Sequence, residues 1–159
     1  MSRLESFIRR LTAQRDILDA IAAEVRGIEG PILELGLGNG RTYDHLRERL
    51  PGRRIVAFDR TVNAHASSMP PQGDLVLGDI SETAQAYLGI GAALAHADIG
   101  TGYPDVDAVT LTWLPQLVAG VLAPGGLAVS GLPLDHPQLA PMPAPDTVRQ
   151  DRYFLYRRR

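Results

Sequence analysis

Leu4, Phe7, Ile8, Leu11, Ile17, Leu18, Ile21, Ala22 and Val25 recur at three- and four-residue intervals, which predicts an amphipathic helix from Ser2 to about Gly27. Ser2 is the natural N-cap, and the helix is expected to break near Thr12. Gly27 and Gly30 close it, and Pro31 opens a first apolar strand, Ile32 to Leu35.

Helical and strand patterns then alternate. A helix from Arg41 to Leu50 stops at Pro51-Gly52, and Arg54 to Asp59 forms a second strand that ends in a carboxylate. A short helix near Val62 to Ser67 leads through Pro70-Pro71 to the strand Leu75 to Leu77, followed by Gly78-Asp79-Ile80. Ser81 is placed to cap a helix from Glu82 to Leu88, and Ala92 to Asp98 gives a fourth, alanine-rich strand. A helix between Val106 and Leu122 is expected to be interrupted at Pro115. Pro124-Gly125-Gly126 turns into a fifth strand, Leu127 to Ser130, and Pro133 to Pro145 is expected to be an ordered loop without regular structure. Arg152 to Arg157, rich in aromatics, fits a last strand packed on both faces.

Strands separated by helices call for an α/β fold with a doubly wound, mostly parallel sheet and helices on both faces. Ligands of such sheets bind outside the carboxyl ends of the strands. The strand-end carboxylates Asp59, Asp79 and Asp98 all fall at that edge. With no repeat or linker, residues 1–159 are expected to form one domain, 1–30 being an N-terminal helical segment.

The composition narrows the chemistry. Apolar residues at 45% and charged residues at 21% suit a globular chain, and no run approaches the roughly 18 apolar residues of a membrane span. No apolar segment follows Arg3, Glu5, Arg9 and Arg10, so a secretory signal is not expected and the cytoplasm is the expected location. The chain has no cysteine, which removes disulfides, thiolate metal sites and cysteine nucleophiles. All 16 basic residues are arginine, which removes Schiff-base chemistry, a P-loop lysine and a lysine base. The net charge of −2 argues against a broad nucleic-acid surface, and the terminal Arg157, Arg158 and Arg159 fit a solvated end.

The densest chemical signal is the loop after the first strand, where Gly36, Gly38 and Gly40 stand at alternate positions behind Glu34. Without Cβ atoms the backbone can press against a ligand, and the helix that follows turns its N–H groups and positive dipole end toward the same space.

Four landmarks together resemble the class I methyltransferases that use S-adenosylmethionine. They are Glu34-x-Gly36-x-Gly38-x-Gly40, Asp59 ending the second strand, Gly78-Asp79-Ile80 ending the third, and Leu122-Ala123-Pro124-Gly125-Gly126 before the fifth. The resemblance covers Ile32 to Ser130 and implies a Rossmann-like methyltransferase fold with an antiparallel last strand. The family's sheet ends in two strands paired antiparallel to the rest, of which only Tyr153 to Arg157 is evident. The glycine spacing differs from the Gly-x-Gly-x-x-Gly of nicotinamide-binding folds, which makes an oxidoreductase a distant third reading.

The resemblance implies S-adenosylmethionine as cofactor, S-adenosylhomocysteine as product, and a site drawn from Glu34, Gly36, Leu37, Gly38, Asn39, Gly40, Thr42, Asp59, Arg60, Gly78, Asp79, Ile80 and Asp98. Asp59, 23 residues beyond Gly36, is placed to accept both ribose hydroxyls, or else to cap the next helix. Asp79 is implied beside the adenine amine, or caps its helix together with Ser81. Glu34 is implied near the methionine ammonium, or anchors loop amides. Asp98, His96 and Tyr103 are the candidate catalytic residues: Asp98 and His96 share a strand face as possible bases, with His136 more distant, and Tyr103 could close over the sulfonium methyl. Packing is the competing role for His96 and Tyr103, and Trp113 is expected in the core. The His96-x-Asp98 pair is similar to metal-dependent sugar O-methyltransferases, but their further aspartate is Gly100 here, so no metal is expected.

Nucleic acid is not expected as the acceptor. The Asn/Asp-Pro-Pro-aromatic motif of base-amine methylation is replaced by Asp98-Ile99-Gly100-Thr101, and the missing cysteine and lysine exclude cytosine C5 and Lys-Asp-Lys-Glu ribose chemistry. A small-molecule acceptor is the expectation, with the N-terminal helix as a lid and a homodimer as one way of completing a shallow pocket. The alternative is a non-catalytic module or partner subunit that binds S-adenosylmethionine or S-adenosylhomocysteine.

Overall fold

The first helix, α1, runs unbroken from Arg3 to Arg26 in the computed structural model, which describes residues 1–159. Ser2 and Glu5 close a reciprocal capping box at its start. No break occurs at Thr12 because the inward positions there are filled by Ala13 and Gln14, both buried. Gln14 reads as polar in the sequence, yet its amide donates to the Tyr153 hydroxyl at 2.5 Å inside the molecule. At the other end the Arg53 guanidinium donates to the carbonyls of Val25, Arg26, Ile28 and Gly30, satisfying acceptors that a helix end leaves free.

Seven strands follow in one sheet: β1 Ile32–Leu35, β2 Ile55–Asp59, β3 Leu75–Leu77, β4 Ala92–Ala97, β5 Leu122–Ser130, β6 Leu139–Met142 and β7 Phe154–Arg158. Their spatial order is β3-β2-β1-β4-β5-β7-β6. The first five are parallel, so Leu35, Asp59, Leu77, Ala97 and Ser130 all end at one edge. β7 is antiparallel to β5 and to β6, as expected of the last strand. β6 therefore runs with the parallel strands, so β7 alone is reversed and the second antiparallel strand that the resemblance implies is absent.

β6 lies inside the segment expected to lack regular structure. It is an edge strand, where Pro141 can sit because the missing N–H costs no ladder bond on the open side. The helical region after β4 is two helices, α4 Pro104–Leu111 and α5 Leu114–Val121. Pro115 lies in the first turn of α5, so it starts a helix and does not interrupt one. α2 spans Arg41–Arg49 and α3 only Ile80–Thr83, capped by Asp79 and not by Ser81.

α1 and α2 cover one face of the sheet through Ile17, Leu18, Val25 and Leu46 against Ile32, Leu94, Leu127 and Val129. α5 covers the other through Leu117, Val118 and Val121 with Leu33, Val56, Phe58 and Ala128. β7 serves both: Leu155 belongs to the first core, with Tyr153 just before the strand, and Tyr156 to the second. No helix is long and apolar enough to cross a membrane.

Candidate functional site

β1 ends under a loop that is fixed from both sides. Gly36 and Leu37 donate their amides to the Phe58 carbonyl of β2 at 2.9 and 3.0 Å, and Asp98 donates its amide to Leu35 at 3.1 Å. A Cβ at Gly36, whose φ is +96°, would lie 2.6 Å from Ile99 Cγ2 and 3.0 Å from the Asp98 carbonyl, so the loop lies flush against the end of β4. Gly38 faces open space, and its amide is held by Asp59 Oδ2 at 2.7 Å. Gly40 caps α2 through its backbone, with no capping side chain at that helix start.

Three cavities meet at Asp98, beside this loop. A cleft of about 370 Å³ opens over β2 and β3, with Asp59, Arg60, Asp79 and Ile80 on one wall and Val106, Thr110 and Trp113 on the other. A second cavity of about 270 Å³ lies between α1 and the loop, bounded by Phe7, Arg10 and Gln14 on the helix and by Leu37, Asn39, Arg41 and Thr42 opposite. The third, of about 280 Å³, lies toward β5 and β7, against Arg10, Thr101, Asp107, Arg152 and Tyr153. Gly36 and Gly38 border the first two, and Asp98 borders all three.

The carboxylates differ in what already holds them. Asp79 accepts from the Ser81 hydroxyl at 2.6 Å and amide at 3.0 Å, and these bonds hold it below the usual carboxylate range. Asp59 accepts from the Arg60 amide as well as from Gly38, each at 2.7 Å. Asp107 accepts from the Thr101 amide and hydroxyl and from the Gly102 amide; burial opposes its ionisation, but the three bonds prevail and lower its pKa. Arg10 approaches Asp98 at 3.6 Å, and the Tyr153 hydroxyl lies against the same carboxylate.

Beneath the loop, on the α1 face, is a sealed polar cluster. Glu34 and His96 stand opposite each other in adjacent strands, both wholly buried, with Oε1 to Nδ1 at 2.9 Å. Burial raises the pKa of Glu34. Burial opposes protonation of His96, but the facing carboxylate outweighs it and the net direction is also upward. The pair therefore keeps one proton, and it is electrically neutral whichever atom carries it. The Tyr153 ring stacks on His96 with centroids 6.0 Å apart, and burial keeps its hydroxyl protonated.

Most of the expected site residues come together. Gly36, Gly38, Asp59, Arg60, Asp79, Ile80 and Asp98 line the first cleft, while Leu37, Asn39 and Thr42 line the second cavity. Gly40 and Gly78 shape the backbone behind these walls and border none of the three cavities.

Three residues fall elsewhere. Glu34 anchors His96, not loop amides or a cavity wall, because its side chain turns into the α1 core. His96 is sealed with it and has no path to a substrate, so it fills the core role. Tyr103 precedes α4, is 71% exposed and borders none of the three cavities, because α4 turns Val106 and Thr110 to the cleft instead.

Arg10, Gln14, Thr110, Trp113, Arg152 and Tyr153 border the cavities without having been singled out as site residues. Their signal in the sequence is weak, since each sits within an ordinary helix pattern or an aromatic strand. No three His, Asp or Glu side chains converge as a metal site would require.

Residues 1–158 match the model of a family described as S-adenosyl-L-methionine methyltransferase. An S-adenosyl-L-methionine methyl transferase from Silicibacter pomeroyi DSS-3 is similar at 40% identity and a TM-score of 0.93, covering 100% of this chain and 99% of that one. The Burkholderia thailandensis 1,6-didemethyltoxoflavin-N1-methyltransferase, solved with 1,6-didemethyltoxoflavin and S-adenosylhomocysteine, is similar at 18% identity and a TM-score of 0.55, over 91% of this chain and 78% of that one. The sugar N-methyltransferase KedS8 from Streptoalloteichus sp ATCC 53650 is similar at 18% identity and a TM-score of 0.54, over 75% of this chain and 47% of its own. The last two share the fold alone. No curated protein matches the chain. The match over nearly the whole length shows that this chain belongs to the S-adenosyl-L-methionine methyltransferase family, with S-adenosyl-L-methionine as its cofactor.

Proposed function

We propose that the chain is a single-domain methyltransferase that transfers a methyl group to a small-molecule acceptor, with Asp98 at the meeting point of cofactor and acceptor. The observation that carries this reading is that Asp98 borders all three cavities. The first two share Gly36 and Gly38 as lining, and their chemistry suits the two ends of the cofactor. Asp59 and Asp79 offer acceptors for ribose hydroxyls and an adenine amine, while Trp113, Val106 and Ile80 offer apolar walls. In the second cavity Arg10, Arg41 and the uncapped start of α2 suit the carboxylate of an amino-acid tail, and Asp98 suits its ammonium. A Cβ at Gly36 would collide with the end of β4.

S-adenosylmethionine when bound supplies a methyl group already activated on a positively charged sulfur. The protein is left with alignment, exclusion of water and, for a protonated nucleophile, a base. Asp98 is positioned to accept a hydrogen bond or proton from an acceptor in the third cavity. α1 lies over the tail end through Phe7 and Arg10, in the position of the expected lid. The third cavity is bordered by residues that follow β4 and β5 and by Asp151 to Tyr153 before β7. That cavity also favours an enzyme over a module that only binds the cofactor.

Calorimetry with S-adenosylhomocysteine should show tight one-to-one binding, and NAD should show none. Asp98→Asn should weaken that binding about tenfold, the loss of one charge-assisted hydrogen bond to the ammonium, and an unchanged affinity would separate Asp98 from the amino-acid tail. Absence of S-adenosylhomocysteine binding would remove the functional reading.

A further inference from the structure

One charged side chain of the third cavity is left without a partner, and it bears on the acceptor. Five charged side chains border the cavity: Arg10, Asp98, Asp107, Asp151 and Arg152. Each of the three carboxylates already has a partner. Asp107 is consumed by the amides and hydroxyl of Thr101 and Gly102. Asp98 faces Arg10 and the Tyr153 hydroxyl, and Asp151 faces Arg149 at 3.9 Å. Arg152 alone forms no ion pair and no side-chain hydrogen bond, although it is half-buried.

Its position is fixed by its neighbours. Its amide donates to the Arg149 carbonyl at 3.2 Å, closing a turn, and the next residue, Tyr153, is buried to 2% exposure and tied to Gln14 and His96. Arg152 thus lies at the cavity wall, on the side away from the nucleoside cleft, which it does not border. A partly desolvated arginine without a counter-ion gains most from a planar anion that takes two of its N–H groups at once.

We propose that the acceptor is a small carboxylate-bearing molecule, its carboxylate held by Arg152 and its accepting hydroxyl or amine turned to Asp98. This rests on the methyltransferase reading and names the substrate class of that site. Leu132 and the Tyr153 ring supply the apolar surface between the two anchors, and Gly100, Gly102 and Gly131 leave room for the acceptor's body. Arg152 is then a specificity-determining residue with no part in holding the cofactor.

The test uses protein saturated with S-adenosylhomocysteine, with saturation confirmed by calorimetry, titrated with matched acids and amides: acetate and acetamide, benzoate and benzamide, phenylacetate and phenylacetamide. At least one acid should bind ten times or more tightly than its amide. Arg152→Gln should erase that preference while leaving S-adenosylhomocysteine affinity and Tm unchanged, and Arg152→Lys should restore part of it. If S-adenosylhomocysteine binds and no acid is preferred, or if the preference survives Arg152→Gln, the acceptor assignment is wrong and the methyltransferase reading stands. If S-adenosylhomocysteine does not bind, both fall together.

Discussion

Asp59→Ala should weaken S-adenosylhomocysteine binding about 100-fold. A carboxylate that accepts two hydroxyl groups forms two charge-assisted hydrogen bonds, each contributing about 1.5 to 3 kcal/mol. Losing about 3 kcal/mol in total corresponds to two decades in Kd. Without ligand the same carboxylate holds the amides of Gly38 and Arg60 at 2.7 Å. The substitution therefore also frees the glycine loop, which must be ordered again on binding. Asp59→Asn separates the two effects: its amide oxygen can still accept from Gly38, while the charge that favours the ribose is gone. It should fall between wild type and alanine. The check is calorimetry on all three proteins, and a loss smaller than threefold for Asp59→Ala would place the ribose elsewhere.

Asp59 was legible in the sequence because several constraints meet there: an apolar run, an acidic end and a glycine loop one strand earlier. The same holds for the strand core, where short apolar runs bounded by turn residues placed β2 to within a residue of its start and β3 at its observed bounds. Sequence reasoning failed where a residue's chemistry and its position disagree. Gln14 is polar and points inward, so the helix appeared to break beside it. Pro141 forbids a central strand and is tolerated at an edge, so β6 was missed. Tyr153 lies far in sequence from the loop and reaches Asp98 only through the antiparallel pairing of β7 with β5. Such long-range placement is set by sheet topology, which no local pattern contains. Asp79 was found just past its strand end, and its hydrogen bonds go to Ser81, so it caps α3 while bordering the first cleft.

The largest stability effect should come from Glu34→Ala, at about 3 kcal/mol, which for a chain of this length lowers Tm by roughly 10 °C. Glu34 and His96 are buried with one hydrogen bond between them, and Glu34 Oε2 and His96 Nε2 have no partner of their own. The pair is therefore sparsely satisfied, and removing the carboxylate leaves His96 with none of its polar atoms paired in an apolar core. Glu34→Gln keeps a neutral partner at the same place and should cost about 1 kcal/mol.

The two variants also separate packing from charge. An unfolded histidine loses its proton near pH 6.5, and in the folded chain the Glu34 carboxylate raises that value. Above pH 6.5 the folded state then binds more protons than the unfolded state, so stability falls as pH rises, by up to about 1.4 kcal/mol per unit, until the folded pair releases its proton. Asp98, which faces both groups, acts in the same direction, and Tyr153 remains neutral throughout. Denaturant titrations between pH 6 and 9 should show this slope in wild type and lose it in Glu34→Gln. Parallel curves for the two proteins would mean that the pair does not keep its proton, and a residual slope shared by both belongs to other groups. Because the cluster lies under the loop without reaching a cavity, Glu34→Gln should also bind S-adenosylhomocysteine within about threefold of wild type, the behaviour of a support beneath the site and not of a ligand contact.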